Sequence, residues 1–132
     1  MHGECNCGAI RYHLKQAPSG VYMCHCSICR KSTGSGGIAV VIVENEHFQW
    51  LSGQDVLCHW RKPAHDWHNY FCSVCGSSMP GENDADRMYI PVGTLSEGVD
   101  SLRLCHHFFV DSKAAWEPLS ESAIQHKEGF ES

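Results

Sequence analysis

Apolar and polar residues alternate along short stretches of this chain, as they do in strands with one buried face. Ile10, Tyr12 and Leu14 alternate with basic neighbours. The run 37–43 is apolar throughout and rich in β-branched residues. It predicts a strand that is covered on both faces.

A turn cluster at 52–55 separates two further alternating stretches. Phe48 and Trp50 precede it, and Cys58 and Trp60 follow it, so we expect the two strands to form a hairpin. Later strands are predicted at 69–72, 88–92 and 104–110, and one short helix at 27–32. Because no helical period continues beyond a turn or two, the predicted fold class is mainly β, with antiparallel sheets of short strands.

Length and composition fit one globular domain. Of the 132 residues, 42% are hydrophobic and 19% are charged, as in an ordinary globular protein. A chain of this length can form one hydrophobic core and is too short for two. We assign residues 1–120 to this domain and expect residues 121–132 to form a loosely held polar tail. The formal net charge of −5 argues against nucleic-acid binding, which usually needs a basic surface.

The sequence predicts neither membrane insertion nor export. Its longest apolar run, 38–43, has the length of a strand and is far too short to span a bilayer. Residues 1–5 contain neither the basic region nor the apolar region of a signal peptide. We therefore expect a cytoplasmic protein.

Nine cysteines are the most unusual feature of the composition. In a reducing compartment, clustered cysteines serve as metal ligands or catalytic groups more often than as disulfides, and an odd number cannot all pair. Seven of the nine form three clusters, at 5–7, 24–29 and 72–75.

The two outer clusters are interpreted as the halves of one structural zinc site. They supply four thiolates: Cys5, Cys7, Cys72 and Cys75. A structural zinc site takes four ligands, commonly two from each of two distant loops. Gly8 and Gly76 follow these pairs and permit tight turns that direct backbone amides at sulfur. Iron in a rubredoxin-like site is the alternative, since four thiolates suit both metals.

The middle cluster offers three thiolates, from Cys24, Cys26 and Cys29. Three protein ligands and one exchangeable position are the usual composition of catalytic zinc. His25 is a candidate fourth ligand, although in extended backbone its side chain points away from those of its neighbours. A redox dithiol formed by Cys26 and Cys29 is a further alternative.

The remaining cysteines and the histidines have plainer interpretations. Cys58 and Cys105 lie in apolar strand contexts, where cysteine packs as a small hydrophobe. Either of them, or a histidine, can instead complete a structural zinc site at the middle cluster. Of the ten histidines, we expect most on the surface and one lining a pocket. His106 and His107 are adjacent on a predicted strand, so they face opposite sides and are poor co-ligands.

Two cations, Arg30 and Lys31, follow the middle cluster directly. One interpretation is a solvated pair of surface charges. The other is that they offset the negative charge of a three-thiolate zinc and attract an anionic substrate.

The cysteine motifs and their flanks resemble the glutathione-dependent formaldehyde-activating family, which includes centromere protein V. The resemblance runs over nearly the whole chain: GECNCGAIRY at 3–12, CHCSICR at 24–30, FCSVCGS at 71–77, VGTL at 92–95 and FVDSKAAW at 109–116. It implies a β-rich, Mss4-like (β-tent) fold with two zinc ions per chain. By this resemblance the structural ligands are Cys5, Cys7, Cys72 and Cys75, and the catalytic zinc is held by Cys24, Cys26 and Cys29.

The resemblance also implies an activity. The activity for which the family is named joins formaldehyde to glutathione, which gives S-hydroxymethylglutathione, and members are classed as carbon–sulfur lyases. The expected enzyme therefore acts on a thiol such as glutathione at the three-cysteine zinc site. Two other classes of function remain open: a zinc-stabilised module that binds a partner without chemistry, and a protein that senses or buffers metal.

Overall fold

Short strands make up most of the regular structure. The structure is a computed structural model that describes residues 1–18 and 20–129. Within these residues the strands are β1 (His2–Glu4), β2 (Arg11–Leu14), β3 (Gly20–Cys24), β4 (Ile38–Glu44), β5 (Phe48–Ser52), β6 (Leu57–Arg61), β7 (His68–Cys72), β8 (Gly81–Glu82), β9 (Arg87–Pro91), β10 (Arg103–Phe108) and β11 (Ile124–Gln125). The same residues contain one α-helix, α1 (Ser27–Thr33), and single turns of 3-10 helix. A membrane-spanning helix is absent from this part of the chain.

Most predicted elements are present, with their ends shifted by one or two residues. The alternating stretch at 10–15 forms β2, and the apolar run at 37–43 forms β4. The predicted helix at 27–32 is α1, and the three later strands are β7, β9 and β10. The prediction of a mainly β protein is confirmed.

The chain divides into two compact units. The first comprises Met1–Pro18 and Ile42–Asp100, and the described part of the second comprises 20–41 and 101–129. In the first unit β1, β2 and β5 form an antiparallel sheet, and β6 pairs with β7 and β8 with β9, also antiparallel. In the second, β3 pairs with β4 antiparallel, and β10 lies between β3 and β11.

Parallel pairing in the second unit departs from the predicted antiparallel sheets. β10 runs parallel to β3, with Leu104 opposite Val21 and Phe108 opposite Cys24. It also runs parallel to β11. A parallel pair needs a long connection, and here residues 25–102 separate β3 from β10. The strands therefore form antiparallel and mixed sheets.

Part of the predicted tail is attached to β10. Ile124–Gln125 forms β11, and Ala123 beside it is buried. The His126 amide donates to the carbonyl oxygen of His107 at 2.8 Å. The expected loose attachment therefore does not apply to 123–126. Residues 130–132 lie outside the described residues, and the domain limits of 1–120 stay a prediction.

The core of the first unit is built around two of the cysteines. Cys5, Ile10, Cys72 and Met79 are at most 3% exposed and form one cluster. Burying an apolar side chain such as that of Ile10 contributes about 2 kcal/mol. Since Cys5 follows β1 and Cys72 ends β7, this cluster joins the three-stranded sheet to the β6–β7 pair.

The predicted hairpin between β5 and β6 is wrong. β5 pairs with β2, and β6 pairs with β7. After β5, Gly53 adopts a φ of 82° and lies directly against the backbone of Ala9 and Ile10. The chain therefore stays packed on the segment that precedes β2 and does not fold back along β5.

Replacing Gly53 with alanine is expected to destabilise the protein by about 2–4 kcal/mol. A Cβ there would overlap the carbonyl group of Ala9, which is backbone and cannot rotate away. Gly34→Ala is the matched control, because Gly34 has a φ of 69° but open space around it; its expected loss is about 1 kcal/mol. Urea unfolding measures both losses. Equal losses would show that the close approach to Ala9 has no energetic consequence.

Candidate metal centres

The first unit gathers the cysteines of the two outer clusters into one group. This four-thiol group consists of Cys5, Cys7, Cys72 and Cys75, whose Sγ atoms all lie within 4.8 Å of one another. The Sγ of Cys7 is 3.6 Å from that of Cys5 and 3.8 Å from that of Cys72. The fold thus brings together the four residues that the sequence places in one site.

Two tight turns present these thiols. The Gly8 amide donates to the carbonyl oxygen of Cys5 at 3.0 Å, and the Gly76 amide donates to that of Cys72 at 2.7 Å. Both glycines have a positive φ, 78° and 79°, which residues with a Cβ adopt only at a cost. The Ile10 amide then points at sulfur and donates to Cys5 Sγ at 3.3 Å.

The four thiols differ in how readily they ionise. Hydrogen bonds from the hydroxyl and the amide of Ser77 lower the pKa of Cys75 to about 5. At Cys7 the hydrogen bond from the Ala9 amide favours the thiolate, but burial and the other three thiols outweigh it and raise the pKa to about 11. Four ionised sulfurs at this spacing repel one another. A cation is therefore required for all four to be thiolates, and four sulfurs are a donor set that suits zinc.

Ser77 is a site residue that the sequence interpretation did not single out. Its Oγ lies 3.2 Å from Cys75 Sγ and accepts a hydrogen bond from the Asn6 amide at 2.9 Å. The side chain thus connects the two cysteine turns. The only indication in the sequence was a hydroxyl residue two positions after Cys75, within reach of its sulfur.

The second unit gathers the three cysteines of the middle cluster. The Sγ atoms of this three-thiol group, Cys24, Cys26 and Cys29, lie within 4.8 Å of one another. Cys24 ends β3, Cys26 is the N-cap of α1, and Cys29 is buried in the first turn of the helix. The cap forms because Cys26 has extended backbone and its sulfur accepts from the Cys29 amide at 3.4 Å.

Cys26 ionises first in the three-thiol group. Hydrogen bonds from the thiols of Cys24 and Cys29, and from amides at the start of α1, hold the pKa of Cys26 well below its usual range. The hydrogen bond with Cys26 raises the pKa of Cys24 to about 11, and the neighbouring thiols raise that of Cys29 as well. A divalent cation displaces such protons on binding. Three clustered sulfurs are again donors that zinc prefers.

A fourth donor does not join this group among residues 1–18 and 20–129. The His25 ring faces elsewhere, with Nδ1 3.2 Å from the Gly36 carbonyl oxygen and Nε2 2.7 Å from Nδ1 of His107. The hypothesis of His25 as a fourth ligand is therefore not supported. Cys58 and Cys105 also lie outside the group.

The fold gives little support to the alternative that Cys26 and Cys29 form a redox dithiol. The two residues do lie at a helix start, where reactive dithiols are often found. However, β3 and β4, which flank α1, are antiparallel. The segment is therefore not the βαβ unit that is typical of such motifs.

The core position predicted for Cys58 is wrong. Residues 58–61 of β6 are all exposed, because β6 pairs only with β7 in the described part of the chain. Cys105 is half-buried, and its thiol donates to the carbonyl oxygen of Arg103 at 3.3 Å.

The histidines follow the prediction in part. His106 and His107 face opposite sides of β10, with the ring of Tyr22 next to His106 and the ring of His25 next to His107. His106 lines an open cavity of about 520 Å³, which confirms the expected pocket histidine. His25 and His107 are buried, which the sequence pattern did not indicate.

Comparison with known proteins identifies a family and one curated relative. The family model of the glutathione-dependent formaldehyde-activating enzyme (GFA) matches residues 1–112. A protein of Halomonas elongata, which is provisionally named as a glutathione-dependent formaldehyde-activating enzyme, is 29% identical over 84 residues. These residues cover 60% of this chain and 54% of the relative. The match thus spans about half the length of that protein.

A solved structure shares the fold. The crystal structure of a Rhodobacter sphaeroides protein from structural genomics has a TM-score of 0.61 and covers 74% of this chain and 90% of its own. The two sequences are 19% identical. Since the family model spans most of the sequence, the chain belongs to the glutathione-dependent formaldehyde-activating enzyme family.

Proposed function

We propose that the protein is a zinc-dependent carbon–sulfur lyase that joins glutathione to formaldehyde or acts on a related thiol adduct. The observation that carries the proposal is the three-thiol group, Cys24, Cys26 and Cys29, which has no fourth protein donor among the described residues. Three protein ligands and an open position are typical of catalytic zinc. Membership of the family supports a thiol such as glutathione as the substrate.

Two zinc ions per chain are proposed, with different roles. Cys24, Cys26 and Cys29 would hold one of them, and the four-thiol group would hold the other. At three thiolates, zinc supplies Lewis acidity toward a carbonyl and a lowered pKa for a thiol in the remaining position. The four-thiol group has its ligand set complete and includes two residues of the buried core cluster, so its proposed role is stability.

Positive charge beside the three-thiol group favours an anionic thiol substrate. Arg30 and Lys31 lie on α1 directly after Cys29. Nε of Arg30 donates to the carbonyl oxygen of His25 at 3.4 Å, which holds the guanidinium near the cluster, while Lys31 is exposed. Glutathione carries a net negative charge at neutral pH, so both side chains attract it.

The proposed activity is tested by following S-hydroxymethylglutathione by NMR in mixtures of glutathione and formaldehyde. We expect the wild-type protein to bring the mixture to equilibrium well ahead of the uncatalysed reaction. Cys29→Ser should return the rate to the uncatalysed value, because it removes one of the three thiolates. A protein that carries two metal ions but neither accelerates the reaction nor shifts its resonances with glutathione would contradict the proposal and favour a non-catalytic binding module. Reversible zinc exchange at physiological zinc levels, without activity, would favour a metal sensor.

A further inference from the structure

Two imidazoles lie buried side by side in the second unit. His25 and His107 are 0% and 2% exposed, and Nε2 of His25 is 2.7 Å from Nδ1 of His107. Neither belongs to the three-thiol group. Burying a polar group costs free energy unless its hydrogen bonds are made. The hydrogen-bond partners of the ring nitrogens therefore determine which nitrogens carry the protons.

The ring protons have one consistent arrangement. The Ser120 amide can only donate, so Nε2 of His107, 3.0 Å away, accepts. A neutral His107 then carries its proton on Nδ1 and donates it to Nε2 of His25. His25 in turn carries its proton on Nδ1, which donates to the Gly36 carbonyl oxygen at 3.2 Å. Each of the four ring nitrogens thus faces a partner of the complementary kind.

A carboxylate lies at the His25 end of this arrangement. Oε2 of Glu117 is 3.3 Å from Nδ1 of His25 and is itself buried, without a well-formed hydrogen bond to the described residues. A Cβ on Gly36 would overlap this carboxylate, so an alanine there would displace the end of the Glu117 side chain. The negative charge favours the proton on Nδ1 of His25.

The backbone of His25 is fixed as well as its ring. Its amide donates to the carbonyl oxygen of Phe108 at 2.9 Å. Gly37 packs against the carbonyl group of Cys24 so closely that a Cβ would overlap it. His25 stands between Cys24 and Cys26 in the chain, so whatever holds His25 also holds the turn that carries two of the three thiols.

We propose that His107 is a positioning residue for the three-thiol group. Through its hydrogen bond to His25 it holds the turn from Cys24 to Cys26 so that the three sulfurs are already gathered when a metal arrives. The proposal rests on the proposed function only in assuming that this group binds metal. Partners that hydrogen-bond directly to a metal ligand commonly change metal affinity by about 10–100-fold when they are removed. His107 acts one residue further out, through His25, so the effect expected of it lies at the lower end of that range.

Three variants of His107 separate positioning from packing. His107→Asn keeps a donor near the position of Nδ1, which faces His25. His107→Gln keeps an acceptor near the position of Nε2, which faces Ser120, and His107→Ala keeps neither. The matched control is His106→Asn on the opposite face of β10. Each full-length protein, with its metals bound, is mixed with a chromophoric chelator, and metal release and the alkylation of each cysteine by iodoacetamide are followed.

The expected result depends on whether the variant keeps the hydrogen bond from residue 107 to His25. His107→Ala and His107→Gln should release the metal of the three-thiol group about 10-fold faster or more, with faster alkylation of Cys29. His107→Asn and His106→Asn should stay within about 3-fold of wild type, since 10-fold is the lower limit for a lost partner. Release from the four-thiol group should not change. A packing role alone predicts lowered thermal stability in all His107 variants, with wild-type release rates.

Wild-type release and alkylation rates in His107→Gln would overturn the proposal. If His107→Ala does not fold, the comparison of the Asn and Gln variants decides. If the wild-type protein carries no metal at Cys24, Cys26 and Cys29, the proposed function fails, but the alkylation rates of these three thiols still decide the positioning role. Equal alkylation rates in wild type and His107→Gln would overturn it in that case.

Discussion

Cys72→Ser is expected to remove the zinc ion proposed for the four-thiol group and to abolish cooperative unfolding. Cys72 is fully buried in the core cluster, beside Ile10 and Met79. Zinc held by thiolates in small domains contributes about 10–16 kcal/mol to folding. That is as large as the whole free energy of unfolding of a typical domain, about 5–15 kcal/mol. The loss of one ligand therefore leaves too little to hold the first unit together.

Cys58→Ser is the matched control for this variant. Cys58 lies on β6, which pairs with the strand that ends in Cys72, but it is exposed and outside the four-thiol group. Its replacement should change the free energy of unfolding by less than about 0.5 kcal/mol. Thermal unfolding followed by circular dichroism, with metal content by mass spectrometry, compares the two. Full metal content and a wild-type melting curve in Cys72→Ser would contradict the structural role of the group.

Cys26→Ser is expected to remove the proposed metal ion of the three-thiol group, abolish the proposed activity and leave the fold intact. The Sγ of Cys26 is one of the three sulfurs gathered in this group, so its replacement removes one of the three proposed ligands. The helix survives because a serine hydroxyl can accept from the Cys29 amide as the sulfur does, and serine is a favoured N-cap. The expected loss of activity is about 1,000-fold or more, which corresponds to about 4 kcal/mol of transition-state stabilisation.

Cys105→Ser is the control for this second variant. Cys105 lies in the same unit, on β10, and outside the three-thiol group, so metal content and activity should match the wild type. Native mass spectrometry counts the metal ions, and the NMR assay gives the rate. A Cys26→Ser protein that keeps both ions would show that Cys26 is not a ligand. One that fails to fold would show that the group is structural and not an open site.

Single strands could be predicted from the sequence more readily than their partners. The alternation in 10–15 depends only on which side chains of one segment are apolar, and it correctly gives β2. The partner of β5 depends on packing between distant segments, here Trp50 opposite Tyr12. Local turn residues at 52–55 suggest a hairpin but cannot show that Gly53 packs on Ala9. The parallel pairing of β10 with β3 is hidden from local pattern for the same reason.

The two thiol groups could be anticipated because spacing within short motifs already brings their members together. Cys24, Cys26 and Cys29 span one strand end and one helix turn, so local geometry sets their separation. Their surroundings could not be predicted in this way. His107 is 82 residues from His25, and Ser77 is 71 residues from Asn6. Partners this far apart in the sequence can be identified only from the three-dimensional structure.

The number of zinc ions in the folded wild-type chain bears most directly on the two metal groups. Native mass spectrometry of the purified protein should show the mass of the chain with reduced cysteines plus two zinc ions. One ion should be released to a chelator well before the other, because only the four-thiol group offers a complete ligand set. A folded chain that carries no metal, or one whose clustered cysteines are paired as disulfides, would contradict both groups. A single zinc ion that survives Cys72→Ser would contradict the division of roles between them.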